Sequence, residues 1–461
     1  MLAWVLAMGV DAPPPPRPFA SPADLMSVDS SLSRTERFVL PNGMTVILAP
    51  DFETPVVGME MSYQVGVADE PAGRSGLASV AQSLMLRGTR HVGSGEYDQV
   101  LQGAGGRWSW RTGIDRSFFS ATVPSDAIAL PLWLWSDQMG FLAETLTDAR
   151  IAQQVAEIDD DYARRSEDVP LGHLWQTMDQ ALYPPSHPYH QAANRPGQAL
   201  RGITVAEVRA FLERYYTPDR ARLVLSGAFD PARARFLVTQ YFGTLRAGAA
   251  GFRRSAERPV LGHETRLRLA ARVDLPAVSL VWSTSPDFQA DDAALDAVAE
   301  LLTGRRAGLL RIKLIDELKI ATEVSAHQYS RRLGSMFVIT ATAAPGHTAA
   351  DLLVAIDDVL SGAKANPPSV YLFIGAVTGF VIDWVFALQT HAARAGQYAY
   401  CDERGVLQSC IDTWLRRYLK LTASDLSNAI ARQLPLDRRV VIEVLPTPDA
   451  PIAGELRTSS P

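Results

Sequence analysis

The sequence predicts an α+β protein with two related domains, each a mostly antiparallel sheet packed with helices. Strand patterns followed by helical patterns occur twice along the 461 residues. The strand pattern of residues 54–61 (TPVVGMEM) returns in residues 275–282 (LPAVSLVW). Between the two occurrences, residues 244–263 lack apolar periodicity and are rich in Gly, Ala, Arg and Pro, which predicts a linker.

In the first half, a hairpin opens the folded region. Residues 37–40 and 44–48 alternate around Pro41-Asn42-Gly43, and Asn-Gly between alternating segments is a strong hairpin signal. Residues 75–86 carry apolar side chains at helical spacing, and residues 103–106 break the chain. The remaining predictions are strands at 55–65, within 107–123 and at 222–228, and helices at 127–142, 149–165, 205–216 and 231–241.

In the second half, strands are predicted at 275–282, 321–328, 335–343 and 439–445, and helices at 293–302, 349–360 and 368–389. Residues 373–388 form the longest apolar run. This run is shorter than the ~20 residues that span a bilayer and contains Asp383, so we expect a buried helix and no integral membrane span. A partner-binding surface is the alternative for this helix.

Composition and charge exclude several classes of protein. The chain is 47% hydrophobic and 20% charged, as is usual for a soluble globular protein. Its formal net charge is −6, and without a basic excess no nucleic-acid partner is expected. Two cysteines cannot form a disulfide scaffold or a four-thiolate zinc site.

The N-terminal end of the chain predicts export. Residues 1–10 are apolar, Val10-x-Ala12 resembles a signal-peptidase site, and a proline run follows, although the usual basic n-region is missing. An exported protein, periplasmic or envelope-associated, is expected; an apolar tail is the alternative. In an oxidising compartment Cys401 and Cys410 would close a short loop; otherwise they are unpaired thiols. The predicted segments are 1–30 (signal peptide and Pro-rich linker), 31–246 and 263–446 (two domains), 247–262 (linker) and 447–461 (loose tail).

An ordered set of motifs carries a family resemblance. They are Phe38-x-Leu40-x-Asn42-Gly43-Met44-x-Val46, Gly76-Leu77-Ala78, Gly88-Thr89, Tyr183-Pro184-x-x-His187-Pro188-Tyr189, Tyr215-Tyr216-x-Pro218 and Tyr241-Phe242-Gly243. In this order they resemble the pitrilysin/insulinase-type zinc metallopeptidases and mitochondrial processing peptidase, over residues 34–446. The resemblance implies a half-length chain of this family.

The resemblance also implies a missing catalytic centre. The family carries His-x-x-Glu-His, in which two imidazoles one turn apart bind zinc and the Glu acts as general base. The matching positions here are Ser79, Gln82 and Ser83. Serine hydroxyls are poor zinc ligands and an amide cannot take up a proton. The third ligand position matches Glu157, and one carboxylate does not hold zinc with catalytic affinity.

We therefore expect no catalytic residue and no metal or other cofactor in this chain, with zinc only in a partner subunit. Glu157 is expected to be structural, pairing with an Arg or capping a polar pocket. His91, His187 and His190 do not rebuild the motif, and residues 159–161 (DDD) predict a solvated acidic helix face.

The resemblance also implies a peptide-binding strand, which does not depend on the lost zinc motif. In the family an extended peptide adds to the sheet edge beside the zinc helix, and the matching segment contains Trp108, Ser109, Trp110 and Arg111. Both Trp side chains point to one face of a strand, where they either fill the space of the lost site or contact a ligand. The Arg and Tyr that the family's second half supplies to substrate have no counterpart in residues 314–322.

The sequence thus predicts a catalytically inactive subunit that pairs with a homologous zinc-bearing subunit to form a peptide-degrading or processing chamber. One alternative is a stand-alone peptide-binding or structural protein of the exported compartment. The other is an active zinc metalloendopeptidase with an atypical site.

Overall fold

The computed structural model describes residues 35–192, 199–248, 253–305 and 307–457; the predicted signal peptide lies outside them. The strands of the first half are β1 (Glu36–Val39), β2 (Thr45–Pro50), β3 (Val56–Tyr63), β4 (Arg107–Thr112), β5 (Ser117–Pro124) and β6 (Ala221–Gly227). Its helices are α1 (Leu77–Leu86), α2 (Glu96–Gly103), α3 (Ala129–Phe141), α4 (Asp148–Tyr162), α5 (Leu174–Leu182), α6 (Pro188–Ala192), α7 (Val205–Tyr215) and α8 (Pro231–Phe242).

The second half repeats this plan. Its strands are β7 (Thr265–Ala271), β8 (Ala277–Thr284), β9 (Ala321–Tyr329), β10 (Ser335–Ala343), β11 (Val440–Pro446) and β12 (Glu455–Arg457). Its helices are α9 (Asp292–Thr303), α10 (Leu309–Arg311), α11 (Ala349–Ala365), α12 (Val370–Ala387), α13 (His391–Glu403), α14 (Cys410–Leu419) and α15 (Ala423–Gln433).

Each half builds one six-stranded sheet. The orders are β1-β2-β6-β3-β5-β4 and β12-β7-β11-β8-β10-β9. β6 runs parallel to β2 and β11 runs parallel to β7, whereas the other neighbouring strands are antiparallel. The predicted fold class is confirmed, and β4 and β9 are the equivalent edge strands of the two sheets.

Each half also covers part of the other half's sheet. Helix α13 lies on β3 and β6 so closely that a Cβ added to Gly58 would stand 2.1 Å from the Ala392 backbone nitrogen. In return, Met178 of α5 and Tyr189 of α6 share a hydrophobic cluster with Val281 and Ile442 of the second sheet. This exchange of helices holds the hairpin turns of the two sheets next to each other.

The Cys401–Cys410 pair forms a disulfide with a Cα–Cα distance of 5.5 Å. It joins α13 to the start of α14. Of the two alternatives from the sequence, the structure contains the bonded one.

Two expectations from the sequence are wrong. The apolar run at 373–388 lies in α12, which buries little surface: Tyr371 is 89% and Phe386 61% exposed, and α12 is long and apolar enough to cross a membrane by length and composition alone. The helix contacts the domain mainly along one narrow side, where Ala376, Val377 and Val381 are buried. The tail after residue 446 is not loose throughout, because β12 pairs with β7.

Candidate peptidase-like site

Helix α1 carries the three motif positions and is held at its start by a buried carboxylate. Glu70 accepts hydrogen bonds from the backbone nitrogens of Gly76, at 2.9 Å, and Ala78, at 2.8 Å. Burial raises the pKa of Glu70 to about 8 although these two bonds oppose the rise. The carboxyl group thus satisfies two of the free N–H groups that every helix start leaves.

Gln82 occupies the general-base position of the motif and is fully buried. Its Nε2 donates to the carbonyl oxygen of Phe118 at 2.9 Å, and the Thr112 hydroxyl donates to its Oε1. One amide therefore joins α1 to β4 and to β5. Ser83 is buried next to it, and Ser79, one turn earlier, is partly exposed.

Glu157, at the third ligand position, lies on α4 and is engaged by three side chains. Its Oε2 is 2.7 Å from Nη2 of Arg87, the residue that ends α1. Gln153 and Gln154 donate to the same carboxylate at 3.0 and 3.2 Å. The side chain keeps 35% of its surface exposed. The expected pairing of Glu157 with an arginine is what the structure contains.

The histidines that the sequence offers as alternative ligands are engaged by other groups and do not join the motif positions of α1. His91 Nδ1 is 2.5 Å from Asp137 Oδ1, His187 stacks on Tyr183, and His190 Nδ1 bonds the Tyr183 carbonyl oxygen. Within the described ranges, no three His, Cys, Asp or Glu side chains form a group that could hold a metal ion. The motif positions supply one carboxylate and no imidazole, a donor set that does not fit a catalytic zinc ion.

The acidic run on α4 faces solvent in part. Asp161 pairs with Arg165 at 3.0 Å, and Asp160 is exposed. This agrees with the expected acidic helix face.

The two tryptophans of the edge strand β4 differ in burial, so one fills space in the fold and the other is open to a ligand. Trp108 is partly buried; its Nε1 donates to Asp98 Oδ1 at 2.5 Å and its ring meets Tyr97 edge-on. Trp110, on the same face, is 39% exposed. Ser109 and Arg111 are exposed on the other face. Trp108 therefore fills space beside α2, and Trp110 remains available to a ligand.

The second half supplies no substrate-binding Arg or Tyr in residues 314–322, and the later candidates are engaged elsewhere. Arg331 pairs with Asp179 at 2.6 Å, and Tyr329 packs edge-on against Trp175.

Sequence reasoning missed one further feature, a cavity of about 510 Å³ at the C-terminal end of β4. Its charged residues come from distant parts of the chain, so no local motif marks it.

The comparisons with known proteins agree with this geometry. Residues 202–379 match the family model described as the Peptidase M16 inactive domain. The zinc protease PqqE of Helicobacter pylori is 23% identical over 87% of this chain and 90% of its own length. Mitochondrial-processing peptidase subunit beta of Blastocladiella emersonii is 23% identical over 55% of each chain.

Solved structures show the same fold. A protease from Helicobacter pylori has a TM-score of 0.83 at 21% identity, over 90% of this chain and all of that one. The periplasmic protease PqqL of Escherichia coli has a TM-score of 0.73 at 14% identity, and the match covers 90% of this chain but 48% of PqqL. In its motifs, in residues 202–379 and in its fold, this chain is similar to the M16, or pitrilysin/insulinase-type, peptidases, and it has Ser79, Gln82 and Ser83 where their His-x-x-Glu-His motif stands.

Proposed function

We propose that this chain is a non-catalytic subunit that pairs with a homologous zinc-bearing subunit, and that the two chains enclose a chamber for peptides. The observation that carries the proposal is which side chains occupy the zinc-motif positions of α1 and what they contact. Where the family binds zinc, this chain has a buried amide that joins α1 to β4 and β5, and a former ligand position neutralised by Arg87. In this proposal the rebuilt site supports folding, and catalysis comes from the partner subunit.

The match to PqqL supports a partner of the same fold. The match covers 48% of full-length PqqL but 92% of a structure of the first half of PqqL. PqqL thus holds about twice the length of this chain. In this proposal the equivalent of the other half of PqqL is a partner subunit that carries His-x-x-Glu-His and the zinc ion.

Helix α12 is the surface that we assign to pairing. Its outer side exposes an apolar stripe, and contiguous exposed apolar surface of this kind marks interaction sites. The stripe consists of Tyr371, Ile374, Ile382, Val385 and Phe386. Burial of this stripe against a partner would contribute a favourable free energy of about 25 cal/mol for each Å² of apolar surface removed from water.

Strand β4 is the part of the chamber that we expect to hold peptide. Within the described residues it pairs with β5 alone, so its other edge keeps unpaired backbone groups. An extended peptide can add to such an edge by main-chain hydrogen bonds. Trp110 and Arg111 would then lie beside the peptide. PqqL is a periplasmic protease, which supports a periplasmic or envelope location for this chain.

Co-expression tests the pairing. This chain is produced with a homologous chain that carries His-x-x-Glu-His, and the native mass of the purified product is measured. We expect a stable heterodimer that Phe386→Asp on α12 disrupts. The matched control is Val354→Asp on α11, which is equally apolar and 72% exposed but lies outside the stripe. A chain that stays monomeric or forms only homodimers contradicts the proposal and favours the stand-alone peptide-binding alternative.

A reversion tests whether α1 retains the family's geometry. Ser79→His, Gln82→Glu and Ser83→His together should restore zinc binding, up to about one equivalent. Because Arg87 holds Glu157, adding Arg87→Gln should tighten zinc binding further. A folded variant that binds no zinc in either background would show that α1 and α4 no longer share the family's arrangement.

A further inference from the structure

Six of the sixteen residues that line the cavity at the end of β4 are arginines, and they come from both halves of the chain. Its walls are the β4–β5 turn, the segment that follows β8, the β9–β10 turn, the segment that precedes β7 and the end of α13. The six arginines are Arg111, Arg116, Arg253, Arg331, Arg332 and Arg404. The carboxylates of the lining are Asp115, Asp287 and Glu403. Its volume of about 510 Å³ lies within the usual range of ligand sites.

The protein's own donors already use these carboxylates. Asp115 accepts from the Tyr189 hydroxyl, at 2.7 Å, and from the Arg332 backbone nitrogen, at 3.0 Å. Asp287 accepts from the Tyr400 hydroxyl at 2.7 Å and pairs with Arg404. Glu403 is 3.4 Å from Arg222, which lies outside the cavity lining, and 3.6 Å from Arg404. Little acceptor capacity remains for the other arginines.

Several guanidinium nitrogens consequently lack a close acceptor. Arg116 Nη1, Arg253 Nε, Arg332 Nε and Arg332 Nη2 are buried without a hydrogen-bond partner among the described residues. The carboxylates that face Arg332 stand at salt-bridge distance only, Asp115 at 3.5 Å and Asp69 at 3.9 Å. The carboxylate nearest to Arg116 that the structure pairs with it is Glu60, at 3.5 Å, and burial raises the pKa of Glu60. The pKa of Arg404 falls to about 9, first because of burial and then because of nearby arginines. The second cause of the Arg404 shift is the crowding of arginines around the cavity.

Arg111 connects the cavity with the sheet edge. It lies near the C-terminal end of β4, is exposed, and lines the mouth of the cavity. A peptide strand added to β4 would reach the cavity at this residue. The guanidinium fork binds carboxylates in a bidentate manner that other cations do not match.

We propose that this cavity binds the carboxylate groups of an acidic peptide segment whose neighbouring residues extend along β4. The inference rests on the proposed peptide-binding role of β4 and names the substrate class. Glutamate or aspartate side chains, or a C-terminal carboxylate, supply the acceptors that the arginine cluster lacks.

Fluorescence anisotropy on the full chain tests the inference with a matched pair of labelled peptides. One peptide is extended and carries several glutamates near one end; the other has glutamine at the same positions. We expect the acidic peptide to bind at least about tenfold more tightly, since hydrogen bonds between charged groups are about twice as strong as neutral ones. Added salt should reduce the difference.

Two substitutions locate the effect. Arg111→Gln should weaken binding of the acidic peptide by about tenfold and leave binding of the neutral peptide nearly unchanged. Arg107→Gln is the matched control, because Arg107 is exposed on the same face of β4 at the other end of the strand and does not line the cavity. It should change neither affinity by more than about twofold.

The outcomes separate this inference from the proposed function. Equal binding of the two peptides, or equal loss of acidic-peptide affinity in the two variants, would overturn the cavity's role while peptide binding by β4 stands. Binding of neither peptide would overturn the peptide-binding role together with the inference.

Discussion

The surroundings of α1 and the arginine cavity are two polar regions inside one fold, and they differ in how completely their polar groups are satisfied. At α1, Gln82 donates one hydrogen bond and accepts another, and Glu157 has a cation and two amides. In the cavity, three arginines retain buried nitrogens without acceptors. Buried polar groups are normally paired. The comparison separates a site rebuilt for stability from a site that has donors left for a ligand.

Asp115, which links the β4–β5 turn to the β9–β10 turn, should show the largest effect on stability. Asp115→Asn removes the carboxylate that Tyr189 and Arg332 share, and leaves buried arginine charge uncompensated. We expect a loss of about 3 kcal/mol in the free energy of unfolding, measured in urea. Asp126→Asn, at an exposed site after β5, should change stability by less than about 0.5 kcal/mol. Similar losses in both variants would mean that Asp115 plays no special part.

Removing the amide at α1 should have the next largest effect. Gln82→Leu keeps the side-chain volume but leaves the Phe118 carbonyl and the Thr112 hydroxyl without their partner. We expect a loss of about 2 kcal/mol in the free energy of unfolding. Ser79→Ala, on the same helix and partly exposed, should cost less than about 0.5 kcal/mol. A neutral Gln82→Leu variant would show that the rebuilt site does not stabilise the fold.

The buried Glu70 predicts a pH dependence with a definite sign. Its folded pKa of about 8 is above the ordinary value of 4.5, so the folded state binds the extra proton. This stabilisation is fully present below pH 4.5 and is lost as the pH rises through about 8.

Chemical unfolding at pH 5 and pH 8 measures this dependence. Glu70→Gln keeps an acceptor for α1 and removes the titrating group, so the fall in stability with pH should be smaller by more than about 1 kcal/mol than in the wild type. The same slope in both proteins would contradict the shifted pKa.

The two tryptophans of β4 should give the smallest effects and separate structure from binding. Trp108→Phe loses the hydrogen bond to Asp98 and should cost about 1 kcal/mol of stability. Trp110→Ala, at an exposed site, should cost less than about 0.5 kcal/mol but weaken the binding of the labelled peptides. If Trp110→Ala leaves peptide affinity unchanged while Arg111→Gln lowers it, the peptide does not follow this face of β4.

Much of the fold follows from local sequence patterns. Asn42-Gly43 predicts the first hairpin, and Gly43 has the left-handed φ of 89° that the turn needs. The apolar spacing of residues 75–86 predicts α1, and the motif resemblance places Ser79, Gln82 and Ser83 on it. These predictions succeed because turn chemistry and helical periodicity are properties of a few neighbouring residues.

The failures concern contacts between distant parts of the chain. Helix α13 was not predicted, because it packs on the first sheet through small residues, among them Ala395, Gly396 and Ala399, and lacks a strong apolar pattern. The exposure of α12 does not follow from its hydropathy, since an apolar helix is buried only where neighbours cover it. The arginine cavity requires the two hairpin turns to meet, and no spacing in the sequence encodes that contact.

Metal content of the purified full chain tests the central claim most directly. The protein is equilibrated with zinc, freed of unbound metal, and assayed for zinc and for chelator-sensitive peptide cleavage. The account predicts zinc far below one equivalent and no such cleavage by this chain alone, because the α1 positions offer no imidazole. About one equivalent of zinc together with chelator-sensitive cleavage would contradict it and establish an active enzyme with an atypical site.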